Sequence, residues 1–211
     1  MTSILMASSG YDSMLIANLW SDVINRYVYV DYGNVTRERE IATLRAAGIQ
    51  PEVLSTHSIG RDRRGFYYGR NLHLILTVRE AFPGDDILVY FGTTATDNFS
   101  DNSREFLYRV EGVLNDSYPK AIRIVCPLHE MTKREVIQQC QFRGIDAYYC
   151  DEGGEEPCGK CHSCEAVAEA MHHGARHEQP RERGTPQGVA MSRIAPATRP
   201  SQGERSHRGN L

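Results

Sequence analysis

Short apolar runs alternate with amphipathic stretches along most of the chain. Thr2–Ala7 (TSILMA) is apolar and passes through a hydroxyl-rich turn into Asp12–Val23, where Met14, Leu15, Leu19 and Trp20 fall at helical spacing. Arg26–Gly33 (RYVYVDYG) is β-branched and aromatic and reads as a second strand. Arg37–Ile49 predicts a charged helix closed by Gly48, and Pro51–His57 a third strand. Gly69–Phe82 predicts an apolar helix that stops before Pro83-Gly84. Asp85–Gly92 (DDILVYFG) carries the strongest buried-strand signal. Ser103–Asp116, Ala121–Leu128 and Thr132–Ile145 follow as helix, strand and helix, and a cysteine-rich segment comes next. Strands alternating with helices of this length predict parallel βαβ units, with helices on both faces of the sheet. In such sheets ligands bind beyond the carboxyl ends of the strands.

Composition adds the expected limits. With 211 residues, 40% hydrophobic and 24% charged, the chain suits one globular domain with a small appendage. The apolar runs are shorter than a membrane span, and the start lacks the basic flank and long apolar run of a signal peptide. A reducing cytoplasm is therefore the expected location. Net charge is −3, unevenly spread. Residues 175–211 hold seven Arg against three Glu, with four Pro and four Gly and almost no large apolar residues. That stretch cannot bury enough surface to offset its ordering entropy, so a disordered basic tail is expected, with the folded body ending near Gly174. A basic tail suits nucleic acid or a partner; a solvated extension is the simpler reading.

Two segments carry chemistry. Ser8-Ser9-Gly10-Tyr11-Asp12-Ser13 lies where the first strand meets the first helix. Backbone N–H groups at a helix start, with hydroxyls around them, form an anion site, and Asp12 would hold a cation or orient water. A Ser or Asp cap with no ligand is the commoner use of such residues. The second segment is Cys150, Cys158, Cys161 and Cys164, spaced C-x7-C-x2-C-x2-C. Four thiolates in so short a stretch suit one tetrahedral Zn²⁺ with a closed, structural shell. An iron–sulfur cluster also accepts four thiolates; zinc is favoured because the chain shows no other redox feature. Cys126 and Cys140 read as ordinary buried residues.

The opening loop resembles the SGGxDS pyrophosphate loop of the N-type ATP pyrophosphatase superfamily. Together with the cysteine cluster, the chain resembles the 7-cyano-7-deazaguanine synthase (QueC) family of queuosine biosynthesis. The resemblance runs in order through SSGYDS, VDYGN (Val30–Asn34) with a Glu a few residues on, GRN (Gly69–Asn71), Asp97–Phe106, Pro127 with Thr132-Lys133, and the cysteines.

That resemblance implies an α/β three-layer sandwich of the adenine nucleotide alpha hydrolase-like kind over residues 1–149. A zinc-binding segment with a C-terminal helix would follow over 150–174, then the tail over 175–211. It implies conversion of 7-carboxy-7-deazaguanine, ammonia and ATP into 7-cyano-7-deazaguanine, with Mg²⁺ beside the ATP, in a homodimer that does not take nucleic acid as its direct substrate. Ser8, Ser9, Gly10, Tyr11, Asp12 and Ser13 would cradle the ATP phosphates, and Tyr29, Asp31 and Tyr32 would flank the adenine. Asp12, Ser13 and Lys133 would act in catalysis. Arg70, Asn71, Asp97, Asp101 and Glu105 would face the acceptor substrate. Two positions depart from the family pattern: Ser9 stands where a glycine is usual, and Asn102-Ser103 stand where Cys-Arg is usual. Two alternatives keep the sequence features and change the task. One is a relative that adenylates another carboxylate or modifies a nucleic acid or protein; the other is a non-catalytic, zinc-stabilised binding module.

Overall fold

The computed structural model describes residues 1–62 and 67–172. The expected tail, 175–211, and the expected end of the body at Gly174 lie outside them. Five strands, β1 (Thr2–Met6), β2 (Arg26–Asp31), β3 (Glu52–Ser55), β4 (Ile87–Tyr90) and β5 (Ile122–Val125), form one sheet in the order β3-β2-β1-β4-β5. Each neighbouring pair is parallel. The helices between and after them are α1 (Tyr11–Leu19), α2 (Arg37–Ala46), α3 (Arg70–Ala81), α4 (Arg104–Ser117), α5 (Lys133–Phe142) and α6 (His162–His172).

Side-chain alternation along the strands builds two apolar layers. Leu5, Tyr29, Leu88 and Tyr90 pack with Leu15 and Ile16 of α1, Ile41 and Leu44 of α2, and Val136 and Cys140 of α5. Their strand neighbours Ile4, Met6, Val28, Val30, Ile87 and Val89 pack with Ile75 and Val78 of α3 and Leu107, Val110 and Leu114 of α4. β4 is buried at every position, Ile87 through Tyr90, as expected for a strand covered on both faces.

Most boundaries follow the periodicity, with differences at helix ends. α1 stops at Leu19 rather than running to Val23, because Trp20 opens a turn in which the Val23 N–H donates to the Trp20 carbonyl. Beyond α2, Gly48 adopts the left-handed conformation (φ 79°) that an L side chain resists, which ends the helix as expected. A 3-10 turn at Ser100–Asn102, not expected from the pattern, leads into α4, where the Ser103 hydroxyl caps the Phe106 N–H.

The strand order fixes where a ligand can sit. The chain runs outward from β1 through β2 to β3, then returns to β4 on the other side of β1. The carboxyl ends of β1 and β4 therefore flank a topological switch point. At the opposite end of the sheet Arg79 is fully buried. Its guanidinium donates to the carbonyls of Lys120 (3.4 Å), Ala121 (3.3 Å), Asp85 (3.0 Å) and Phe82. It thereby gathers the segments that enter β4 and β5. Arg79→Met is expected to cost about 3 kcal/mol, since it removes the hydrogen bonds of a fully buried guanidinium, and to lower Tm by roughly 6–12 °C. Arg79→Lys should recover little, because an ammonium lacks the planar fork. A calorimetric scan checks both variants, and an unchanged Tm in the methionine variant refutes the assignment.

Candidate functional site

The loop after β1 is held by its own side chains. The Ser8 N–H donates to Ser13 Oγ (2.9 Å), and Ser13 Oγ donates onward to the Met6 carbonyl (3.4 Å). Ser13 is thus committed to closing the turn. Gly10 is the residue before α1, in extended conformation (φ −68°, ψ 155°), and no side chain caps the helix there. The Ser or Asp cap that such a sequence invites is not formed, so the first-turn N–H groups of α1 keep the character of an anion site. Ser9 is fully buried and turned away from the helix start: its hydroxyl donates to the Tyr148 carbonyl at 2.7 Å. The Tyr11 ring stacks on that of Tyr149, with centroids 5.4 Å apart.

Across the switch point, Lys133 at the first turn of α5 reaches Asp12 with its ammonium 2.9 Å from Oδ1 and 2.7 Å from Oδ2. A capping box between Thr132 and Glu135 fixes the start of that helix, and the Lys133 N–H donates to Thr96 Oγ1 at 3.0 Å. Asp97 accepts from the Thr94 N–H at 2.8 Å. Burial holds its carboxyl above the usual range and the Asp12 charge adds to the rise, against the pull of Lys133. Asp12, Lys133 and Asp97 therefore form one electrostatic group. Gly92, just past β4, permits this closeness: a Cβ there would lie 3.0 Å from the Asp12 Cβ.

The other expected site residues fall into separate groups. Asn71, buried at the start of α3, donates through Nδ2 to the Asp101 carbonyl (3.3 Å) and to Asn102 Oδ1 (2.5 Å), and its N–H donates to Asp101 Oδ2 (3.4 Å). Two sequence segments 30 residues apart thus meet, and Asn102 is one of the partners. Beside β2, Tyr29 is a core residue whose phenol accepts from Asn34 Nδ2 (2.8 Å). Thr36 donates to Glu40 (3.0 Å), and burial raises the Glu40 carboxyl above its usual range. Asp31 accepts from the Gly33 N–H (3.0 Å) and pairs with Arg37 (2.8 Å). Tyr32 meets the Tyr67 ring edge-on, and its hydroxyl is pushed up to about 12, first by burial. Arg70 lies within electrostatic reach of both Tyr32 and Glu40. Glu105 stands apart: it is 75% exposed and pairs with Arg109 along the outside of α4.

Sequence reasoning missed several members. Thr94 and Thr96 position Asp97 and Lys133, and the Gly92-Thr93-Thr94 run directly after the most apolar strand was the signal available for them. Tyr148 and Tyr149 were missed as well, since nothing local marks them as neighbours of a loop that lies 139 residues earlier.

The four cysteines converge as their spacing predicts. Their sulfurs lie within 4.8 Å of one another, a group able to hold a metal ion. None of the six cysteines forms a disulfide. Backbone amides point at the sulfurs: Cys158 N–H at Cys150 Sγ (3.3 Å), and Asp151 and Cys164 N–H at Cys161 Sγ (3.4 Å each). Asp151 also accepts from Ser163 at the start of α6, tying that helix to the cluster. Burial pushes the Cys161 thiol up to about 12, while backbone amides hold the Cys158 thiol below its usual range. No helix among the described residues is long and apolar enough to cross a membrane.

Against known proteins, the family model described as Queuosine biosynthesis protein QueC matches residues 63–174. The 7-cyano-7-deazaguanine synthase of Methanosarcina mazei is 29% identical over 143 residues, which covers 65% of this chain and 62% of that protein. Its counterpart in Pyrococcus horikoshii is 32% identical over 108 residues, 45% of each chain. That of Methanothermobacter thermautotrophicus is 25% identical over 202 residues, 78% of this chain and 91% of that protein. The matched region thus spans less than two thirds of the first two relatives. The family match takes in the Asn71–Asp101 contact, Asp97, Lys133 and all four cysteines, and it covers more than half the sequence: the chain belongs to the QueC family.

Proposed function

We propose that the protein makes 7-cyano-7-deazaguanine, the product that the names of its relatives carry, from 7-carboxy-7-deazaguanine, ammonia and ATP. The observation that carries the reading is the Asp12–Lys133 pair beside an uncapped helix start at the β1/β4 switch point. A carboxylate is a poor electrophile, so one of its oxygens has first to become a leaving group. Attack of the substrate carboxylate on the α-phosphate of ATP forms an acyl adenylate and expels pyrophosphate. Ammonia then displaces AMP to give the amide. A second ATP activates the amide oxygen, and loss of that oxygen with AMP and of two protons from nitrogen leaves the nitrile.

Each group of residues has a task in this scheme. Ser8, Gly10 and the first-turn N–H groups of α1 receive the ATP phosphates. Lys133 offsets the charge that gathers on the departing pyrophosphate, and Asp12 holds that ammonium in place until phosphate arrives. Asp12 and Asp97 are the carboxylates beside which the Mg²⁺ carried by ATP would lie. Asn71 and Asp101, with Arg70, border the acceptor. The segment 150–172 is a zinc-binding unit. A tetrahedron with Zn–S arms of ~2.3 Å has edges of about 3.8 Å, close to the 4.0 Å between the Cys158 and Cys164 sulfurs. Four thiolates fill the shell, so the ion organises structure and takes no part in the reaction. A four-thiolate site suits a reducing compartment such as the cytoplasm. A homodimer and free ammonia as the nitrogen source complete the reading.

The test is mass spectrometry of products after incubating the zinc-loaded protein with ATP, Mg²⁺, ammonia and 7-carboxy-7-deazaguanine. The nitrile is expected, accompanied by AMP and pyrophosphate. ATP turnover with a different carboxylate, and none with this one, would transfer the protein to the alternative in which only the acceptor differs.

A further inference from the structure

We infer that Ser9 is a positioning residue that couples the four-cysteine segment to the nucleotide loop, so that metal binding and ATP binding strengthen each other. The inference rests on the proposed reading of that loop as the ATP phosphate site.

The hydroxyl at position 9 has a specific use. Ser9 Oγ donates to the Tyr148 carbonyl at 2.7 Å, while the Tyr148 N–H donates to the Ser9 carbonyl at 2.9 Å. The pair makes a two-bond clamp between residues 139 apart in sequence, and Ser9 is fully buried within it. With glycine or alanine at position 9 the backbone bond remains, but the Tyr148 carbonyl loses its partner in a buried setting, where an unpaired acceptor is costly. Tyr148 lies two residues before Cys150 and packs in the same cluster as Cys150, Cys161 and Cys164. Its phenol donates to the Gly154 carbonyl at 2.8 Å, inside the stretch between the first and second cysteines. The neighbouring ring, Tyr149, stacks on Tyr11, the first residue of α1. One short segment therefore touches the loop twice and the metal centre several times.

The four cysteines fit a metal ion by their donor set and mutual distances. Binding that ion orders 150–164, and the clamp passes the order to Ser9 and the start of α1. Linkage then requires the reverse effect: whatever settles into the loop must tighten metal binding by the same factor. A serine that merely filled space would shift Tm without linking the two ligands.

The experiment measures the zinc affinity of the full chain by equilibrium competition with a colorimetric chelator, with and without ATP and Mg²⁺, alongside calorimetric titration of ATP. In the parent protein ATP is expected to tighten zinc binding about fivefold, the lower end of ordinary coupling between sites. In Ser9→Ala the tightening should fall below about twofold, and zinc removal should no longer weaken ATP binding. If Ser9→Ala does not fold, Ser9→Gly removes the same hydroxyl from the Tyr148 carbonyl and should also lose the coupling. ATP binding with zinc affinity unchanged in the parent protein overturns the inference and leaves the ATP reading intact. Full coupling in the folded Ser9→Ala protein also overturns it. Absence of ATP binding, or of zinc, removes both the inference and the reading beneath it.

Discussion

Replacing Asp12 by alanine is expected to abolish measurable nitrile formation, lowering kcat by about 10²–10³ or more, while the folded structure survives. The Asp12 carboxylate holds the Lys133 ammonium through both oxygens, and the two side chains keep 18% and 23% of their surface exposed. Each can therefore be removed without opening the apolar core, and Tm should move by no more than about 3 °C. Lys133→Ala is expected to give a similar loss. The double variant should be little worse than either single one, because groups that act as a unit fail together. Steady-state kinetics on the three proteins decide the matter: additive losses would mean that Asp12 and Lys133 serve separate steps, and retained turnover in Asp12→Ala would remove it from the mechanism.

The largest stability effect is expected at the cysteines. Cys161→Ser should release the metal and lower Tm by about 10 °C or more, corresponding to a loss of at least ~4 kcal/mol at this chain length. Cys161 is buried, and its sulfur receives the amides of Asp151 and Cys164, which would otherwise point at an open shell. Elemental analysis and a thermal scan of the purified variant test this. A chain that keeps its zinc, or that lacks zinc from the outset with Tm unchanged by the substitution, contradicts the structural role. Cys140→Ala, by contrast, should cost only what a small buried group contributes, since it packs in the α1–α5 layer apart from the cluster.

How much of this could be read from the sequence depended on the range over which each signal acts. The strands and helices were legible because period-2 and period-3.6 patterns are local, and the sheet's two faces followed from alternation at positions such as Ile4 and Leu5. The four-cysteine cluster was legible because its members lie within 15 residues. Partnerships that depend on tertiary packing were not. Ser13 was read as a phosphate-binding and catalytic residue, yet the folded loop uses its hydroxyl to bind Ser8 and Met6. Tyr29 sits in the strand assigned to the adenine, but pleating turns it into the core. Glu105 follows the acidic loop in sequence, while helix geometry points it at Arg109 four residues on; that i,i+4 spacing was visible in the sequence. Asn102 was read as a departure from the family pattern; its contact with Asn71 appears only when α3 and α4 are brought side by side.

The strand order has a consequence for synthesis on the ribosome. β1 is made before the other four strands and ends up central, paired with β2 on one side and β4 on the other. Its β2 edge is filled within the first 31 residues, but its other edge waits for Tyr90. At about 5–20 residues per second, residues 7–90 take roughly 4–17 s to make, and for that interval the most apolar strand pair of the fold is half-built. The nascent chain thus carries an open, sticky strand edge for seconds, which makes this stretch of translation the window in which chaperone capture or aggregation would be decided.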